Sequence, residues 1–76
     1  MTLDKLQIGK SGIISKINGQ GELHLRLLDM GLIPNTKIEV VKLAPLGDPM
    51  EINIRGYALT LRLEDAKQIE LKELQL

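Results

Sequence analysis

Cysteine is absent from this chain of 76 residues, and so are phenylalanine and tryptophan. The first absence removes disulfides, thiolate metal centres and iron–sulfur clusters as ways to reinforce so short a chain. The second leaves Tyr57 as the single aromatic side chain. One ring is too few for a platform on which bases stack, or for an aromatic-lined groove that grips proline-rich peptides. A charge excess is missing too: ten basic residues balance ten acidic ones, scattered along the chain. A phosphate-binding face normally shows a basic surplus, so nucleic acid is not an expected partner. No apolar run approaches the roughly 18 residues of a membrane span, and the opening "MTLDKLQIGK" lacks a signal-peptide core. These absences predict a soluble cytoplasmic protein folded as one small domain over residues 1–76. Its core is thin, because a chain this size hides only about 60% of its unfolded surface.

Chemistry is equally sparse. "GKS" at Gly9–Ser11 invites a phosphate-loop reading, but Asp4 stands where that loop needs its first glycine. It reads as a turn before a strand. His24 is the only histidine, and with Glu22 it makes no recognised metal spacing. No metal site and no cofactor is expected within one chain, although a site shared between subunits escapes that argument. Ser11 and Ser15 have no base within local reach, and no pair of carboxylates is set apart for acid–base work. An enzyme is not expected.

What the chain does have is strand patterning. Met50, Ile52 and Ile54 alternate with Glu51, Asn53 and Arg55, and Tyr57, Leu59, Leu61 and Leu63 alternate with Ala58, Thr60 and Arg62. Arg55-Gly56 between them predicts a tight reversal in which glycine supplies a positive φ. "TKIEVVKL" changes phase between Val40 and Val41, so either both faces are covered or a bulge sits there. "GIISKI", Gly12–Ile17, is a plausible first strand. Short strands with turn residues between them predict a mainly β chain, a small antiparallel barrel.

The middle reads two ways. Leu23, Leu25 and Leu27 alternate as in a strand, whereas Leu23, Leu27 and Met30 stack at helical spacing and leave Leu25 outside. Helix is favoured, since no β-branched residue occurs from Gly19 to Leu32. Gly31 then falls at the helix end, with Pro34 preventing continuation. The tail "LEDAKQIELKELQL" is similarly divided between helix and a last strand. "APLGDP", Ala44–Pro49, holds Pro45, Gly47 and Pro49 around Leu46 and Asp48, which makes a rigid connector. Asp48 is of the type that holds a turn by bonding backbone amides.

Taken together, "RLLDMGLIP", "APLGDP" and "RGYALTLR", in this order and spacing, closely resemble the FeoA family of small ferrous iron transport proteins. "LQIGKSGIISKI" and "LEDAKQIEL" fit the family's ends, so the similarity covers nearly the whole chain. Asn35 stands where the family commonly has glycine after the proline. The resemblance implies an SH3-like barrel with a helix after the first strand, a short helical turn near Glu64–Lys67 and a closing strand through Ile69 and Leu71. The same barrel is similar to the C-terminal domain of diphtheria-toxin-repressor-type regulators. It also implies an accessory role: docking onto the cytosolic, GTPase-bearing part of the membrane iron transporter FeoB and modulating transport. The alternative is direct ferrous iron or transition-metal handling, through an intersubunit site. A weak homo-oligomer stays open.

Candidate partner-binding residues are Arg26, Asp29, Leu46, Asp48, Arg55, Tyr57 and Arg62. Arg55 and Arg62 are expected near one another and near Asp48 or Glu51, as solvated surface charges or as a mixed-charge patch that docks a partner. Gly31, Pro34, Pro45, Gly47, Pro49 and Gly56 are read as turn or cap residues.

Overall fold

The computed structural model describes residues 1–73. The last three positions of the expected 1–76 domain, and of the tail, lie outside the described residues. Alternating apolar positions become five strands: β1 (Ser11–Ile17), β2 (Lys37–Leu43), β3 (Met50–Ile54), β4 (Tyr57–Leu61) and β5 (Ile69–Glu73). They form one antiparallel sheet in the order β4-β3-β2-β1-β5. Helix α1 (Gly21–Asp29) follows β1, and the one-turn helix α2 (Leu63–Ala66) precedes β5. A short 3-10 turn covers Leu3–Lys5.

The inward residues share one core. Ile14, Ile38, Val40, Met50, Ile52, Ile54 and Ile69 are buried from the strands, and Leu3, Leu27, Leu32 and Ala66 close it from outside the sheet. The phase change in β2 is a bulge: pairing with β3 shifts between Val40 and Lys42, which turns Val41 outward. β3 keeps strict alternation, while β4 is buried only toward its end, at Leu61.

The ambiguous middle is helical because the helix buries Leu27 completely and half-buries Leu23 and Met30, at the cost of leaving Leu25 61% exposed. Its end is closed by a paired backbone motif. The Gly31 amide donates to the Leu28 carbonyl at 2.9 Å, and the Leu32 amide to the Leu27 carbonyl at 3.0 Å. With Gly31 at φ +93°, this is a Schellman cap, and Leu32 folds back against the core. The following turn has Pro34 at its second position and Asn35 at its third, with φ +70° and the Thr36 amide bonded to the Ile33 carbonyl at 3.3 Å. That is the residue placing of a type II turn. The short helix begins one residue before the expected Glu64, at Leu63.

Candidate docking surface

Both reversals that frame the β3–β4 hairpin are tightly built. Arg55 and Gly56 have φ +50° and +86°, the positive pair of a type I′ turn, whose twist suits the flanking strands. At the other end, "APLGDP" folds by two bonds: the Gly47 amide to the Ala44 carbonyl at 2.7 Å and the Ala44 amide to the Pro49 carbonyl at 2.9 Å. Pro45 takes the second position of that first turn. Leu46 is left at its tip, 96% exposed. The Asp48–Pro49 peptide is cis.

The candidate residues do not gather into one patch. Arg55 lies in the turn and Arg62 beyond the far end of β4, about 20 Å along the strand at ordinary strand rise. The expected Arg55–Arg62 neighbourhood is therefore corrected: the hairpin register, not side-chain alternation, sets their separation. Arg55 donates to the Thr36 hydroxyl at 3.5 Å. Around it lies an open depression of about 470 Å³, lined also by Asn35, Lys37, Glu39 and Asn53. Arg62 is exposed and has no carboxylate within ion-pair reach among the described residues.

Near Arg62, Asp48 and Asp65 each have another partner, and Glu64 is exposed. Asp48 Oδ1 accepts from the Leu63 amide at 3.0 Å, so its carboxylate holds the start of α2 against the loop. Asp65 pairs with Arg26 at 3.4 Å and ties α2 to α1, although the arginine is 61% exposed. A pair so wet contributes little to stability. Asp29 is exposed at the end of α1. Tyr57 donates its hydroxyl to the Met30 carbonyl at 3.0 Å, which satisfies a group that the helix end would leave open.

His24 is held by Nδ1, 2.9 Å from the Gly19 carbonyl. A carbonyl only accepts, so in this contact Nδ1 is the donor. Among the described residues no group of three or more His, Cys, Asp or Glu side chains is placed to hold a metal ion. No helix among them is long and apolar enough to cross a membrane. Asp65 and Thr36 could not be read from the sequence as partners of Arg26 and Arg55. Those contacts join residues far apart in the chain, and no local pattern encodes them.

A curled antiparallel sheet of five strands, with a helix after the first and a short one before the last, is the SH3-like class of small barrels. The FeoA domain matches residues 1–73, and the chain belongs to the FeoA family. Relatives of the chain are described as Fe(2+) transport protein A and as an iron uptake regulatory protein. A fusion of Fe(2+) transport protein A with the Fe(2+) transporter FeoB from Porphyromonas gingivalis is 39% identical over 72 residues, 95% of this chain. The chain spans only 8% of that fusion's length. A putative Fe(2+) transport protein A from Campylobacter jejuni is 31% identical over 93% of this chain and 96% of its own. Among solved structures, iron(II) transport protein A from Clostridium thermocellum superposes with a TM-score of 0.93 at 39% identity, over 97% of this chain and 46% of that one. The fold alone is shared with a FeoA from Stenotrophomonas maltophilia described as an SH3 domain protein, at 21% identity, 95% of this chain and 89% of that one, and a TM-score of 0.84. It is shared likewise with a manganese-dependent transcriptional repressor, at 16% identity, 97% of this chain and 36% of that one, and a TM-score of 0.89.

Proposed function

We propose that this chain is a cytoplasmic accessory protein of bacterial ferrous iron uptake. It docks on the cytosolic, GTPase-bearing region of the FeoB transporter and modulates transport, with no metal of its own. The observation that carries this reading is the fusion relative, in which a sequence 39% identical to this one is joined in one polypeptide to FeoB. Joining two modules makes their encounter intramolecular, which favours pairs that work in contact. The exposed positions support it. Leu46 offers an apolar tip and Arg62 a cation with no ion-pair partner among the described residues.

The test is co-purification of the chain with the transporter's cytosolic region, with GTP turnover measured in the complex. Arg62→Glu is expected to weaken that complex about fivefold to tenfold while circular dichroism stays unchanged, since an interface charge acts on recognition more than on fold. Unchanged affinity for reversals at both Arg55 and Arg62 removes the arginines from the interface. Failure of the wild-type chain to bind removes the docking reading itself.

A further inference from the structure

The two ends of the sheet are treated differently. At β5, Thr2 bridges to Glu70 and the Leu71 amide donates to the Met1 carbonyl at 2.7 Å, so residues 1 and 2 lie along that edge. At β4 no described segment takes the equivalent place. The register identifies the groups left over. The turn closes on Ile54 and Tyr57, which form the hydrogen-bonded pair of a two-residue hairpin. Such pairs alternate, so Leu59 and Leu61 also bond β3, opposite Ile52 and Met50. The amides and carbonyls of Ala58 and Thr60 therefore point away from β3, on two exposed residues. Neither has another backbone partner among the described residues.

Proteins usually guard such an edge with lysine, proline or a bulge. "YALTL" has no charge and no proline, and its pairing with β3 runs without a shift, unlike the β1–β5 and β2–β3 pairings. Its charges stand outside it, with Arg55 before one end and Arg62 after the other.

We propose that the β4 edge takes an extended segment of a protein partner as an added strand, and that this segment carries acidic residues at both its ends. Ala58 and Thr60 would supply the backbone bonds, and the two arginines the orientation and sign. A second copy of this chain is the wrong occupant. Antiparallel self-pairing about Leu59 sets Arg62 of one copy opposite Gly56 of the other, one position from that copy's Arg55, at both ends, and like charges so near repel. An acidic segment meets the same two positions favourably. Of the carboxylates near Arg62, Asp65 is paired with Arg26. Asp48, held at the Leu63 amide, and the exposed Glu64 keep their charge without reaching ion-pair distance of it among the described residues, so the turn end is the more cationic of the two. At the turn end, Lys37 adds a second cation to the depression around Arg55, against the one carboxylate of Glu39.

The inference rests on the docking reading only for the partner's identity, and the test separates the two. The nitrogen-15-labelled chain is titrated with the transporter's cytosolic region. In parallel it is titrated with an acetylated Glu-Val-Thr-Val-Thr-Val-Glu peptide and with its Lys-ended counterpart. In the free chain the Ala58 and Thr60 amides are expected to exchange fast while those of Tyr57, Leu59 and Leu61 are protected. Saturation with the cytosolic region is expected to slow exchange at Ala58 and Thr60 by ~10-fold or more. Thr60→Pro removes only the outward amide, a change edge strands tolerate, and should weaken binding about tenfold while Thr60→Val binds as wild type.

Binding of the cytosolic region with Ala58 and Thr60 exchanging as in the free chain overturns the edge proposal and leaves docking intact. No binding of that region, with the Glu-ended peptide alone still protecting the two amides, overturns docking and supports the edge. Protection by neither ligand, or equal protection by both peptides, overturns the edge proposal. So does self-association that Thr60→Pro abolishes. If Thr60→Pro fails to fold by circular dichroism, the exchange rates of the wild-type chain decide alone.

Discussion

The connection from Met30 to Asn35 and the connection from Ala44 to Pro49 each turn the chain through a left-handed glycine, φ +93° at Gly31 and +88° at Gly47. Each also carries a leucine and at least one proline. Their surroundings are opposite. A Cβ on Gly31 would lie 2.8 Å from the Tyr57 hydroxyl oxygen, whereas one on Gly47 would meet nothing among the described residues within 4 Å. Leu32 is fully buried and Leu46 is 96% exposed. Similar punctuation in the sequence thus builds a closed joint in one place and a projecting tip in the other. The difference lies in what the fold brings alongside: Tyr57 and Ile54 arrive next to Gly31, and no described residue comes within 4 Å of a Cβ on Gly47.

Alanine at the two glycines breaks this comparison most sharply. Both substitutions force an L side chain into left-handed geometry, which costs about 1–2 kcal/mol. At Gly31 the new methyl also displaces the Tyr57 hydroxyl from the Met30 carbonyl, and losing that bond adds about 1 kcal/mol. Gly31→Ala is therefore expected to lose about 2–3 kcal/mol, or roughly 10 °C or more in Tm for a chain this small. Gly31→Val should lose at least as much, and Gly47→Ala about half. Thermal melts of the variants check the order. Equal losses at Gly31 and Gly47 would mean that Tyr57 contributes nothing to the closed joint.

Asp48 is the point where the open connection is nonetheless fastened. Its carboxylate takes the Leu63 amide, one of the donors that the start of α2 leaves free. Asp48→Ala is expected to cost about 1 kcal/mol, as loss of a helix-capping acceptor does. Leu63 is then freer, and its amide should exchange faster while the amides of α1 keep their rates. Hydrogen exchange by NMR distinguishes that local release from a general loss of stability.

How much of this was legible in the sequence follows the range of each interaction. Strands β3 and β4 and their turn were plain, because alternation and Arg55-Gly56 are local. The phase change at Val40 and Val41 announced an irregularity without saying which kind, since a bulge and a doubly covered strand look alike until β3 supplies the register. The Gly21–Asp29 segment satisfied both periods. Burial of Leu27 and the Schellman bonds at Gly31 and Leu32 decide it, and both depend on contacts beyond the segment. Candidate site residues were harder still. Arg55 and Arg62 share a side-chain alternation and so looked like neighbours, although they stand at opposite ends of one hairpin. Asp48 has the look of a turn-holding aspartate in the sequence; the amide it takes belongs to α2, remote in the chain. The free amides of Ala58 and Thr60 were in principle derivable, since a two-residue turn fixes which pairs bond. Nothing in composition draws attention to them.

The smallest effect on stability is expected at Leu46, and it is the one that sharpens the comparison for function. A side chain 96% exposed buries almost nothing, so Leu46→Ala should change stability by no more than about 0.5 kcal/mol. The turn from Ala44 to Gly47 holds that leucine out in water at a standing hydrophobic cost, and the fold recovers none of it. An apolar side chain on a fixed backbone is a low-entropy anchor for a partner, because little of its freedom remains to be lost on binding. Leu46→Ala should therefore leave the Tm unchanged and weaken the complex with the transporter's cytosolic region by about fivefold or more, the loss of one small apolar anchor. Unchanged affinity beside an unchanged Tm would confine docking to the β4 edge and its arginines. A lowered Tm would show that the tip is less open in solution than its exposure implies, and would return "APLGDP" to the closed kind of joint that Gly31 makes.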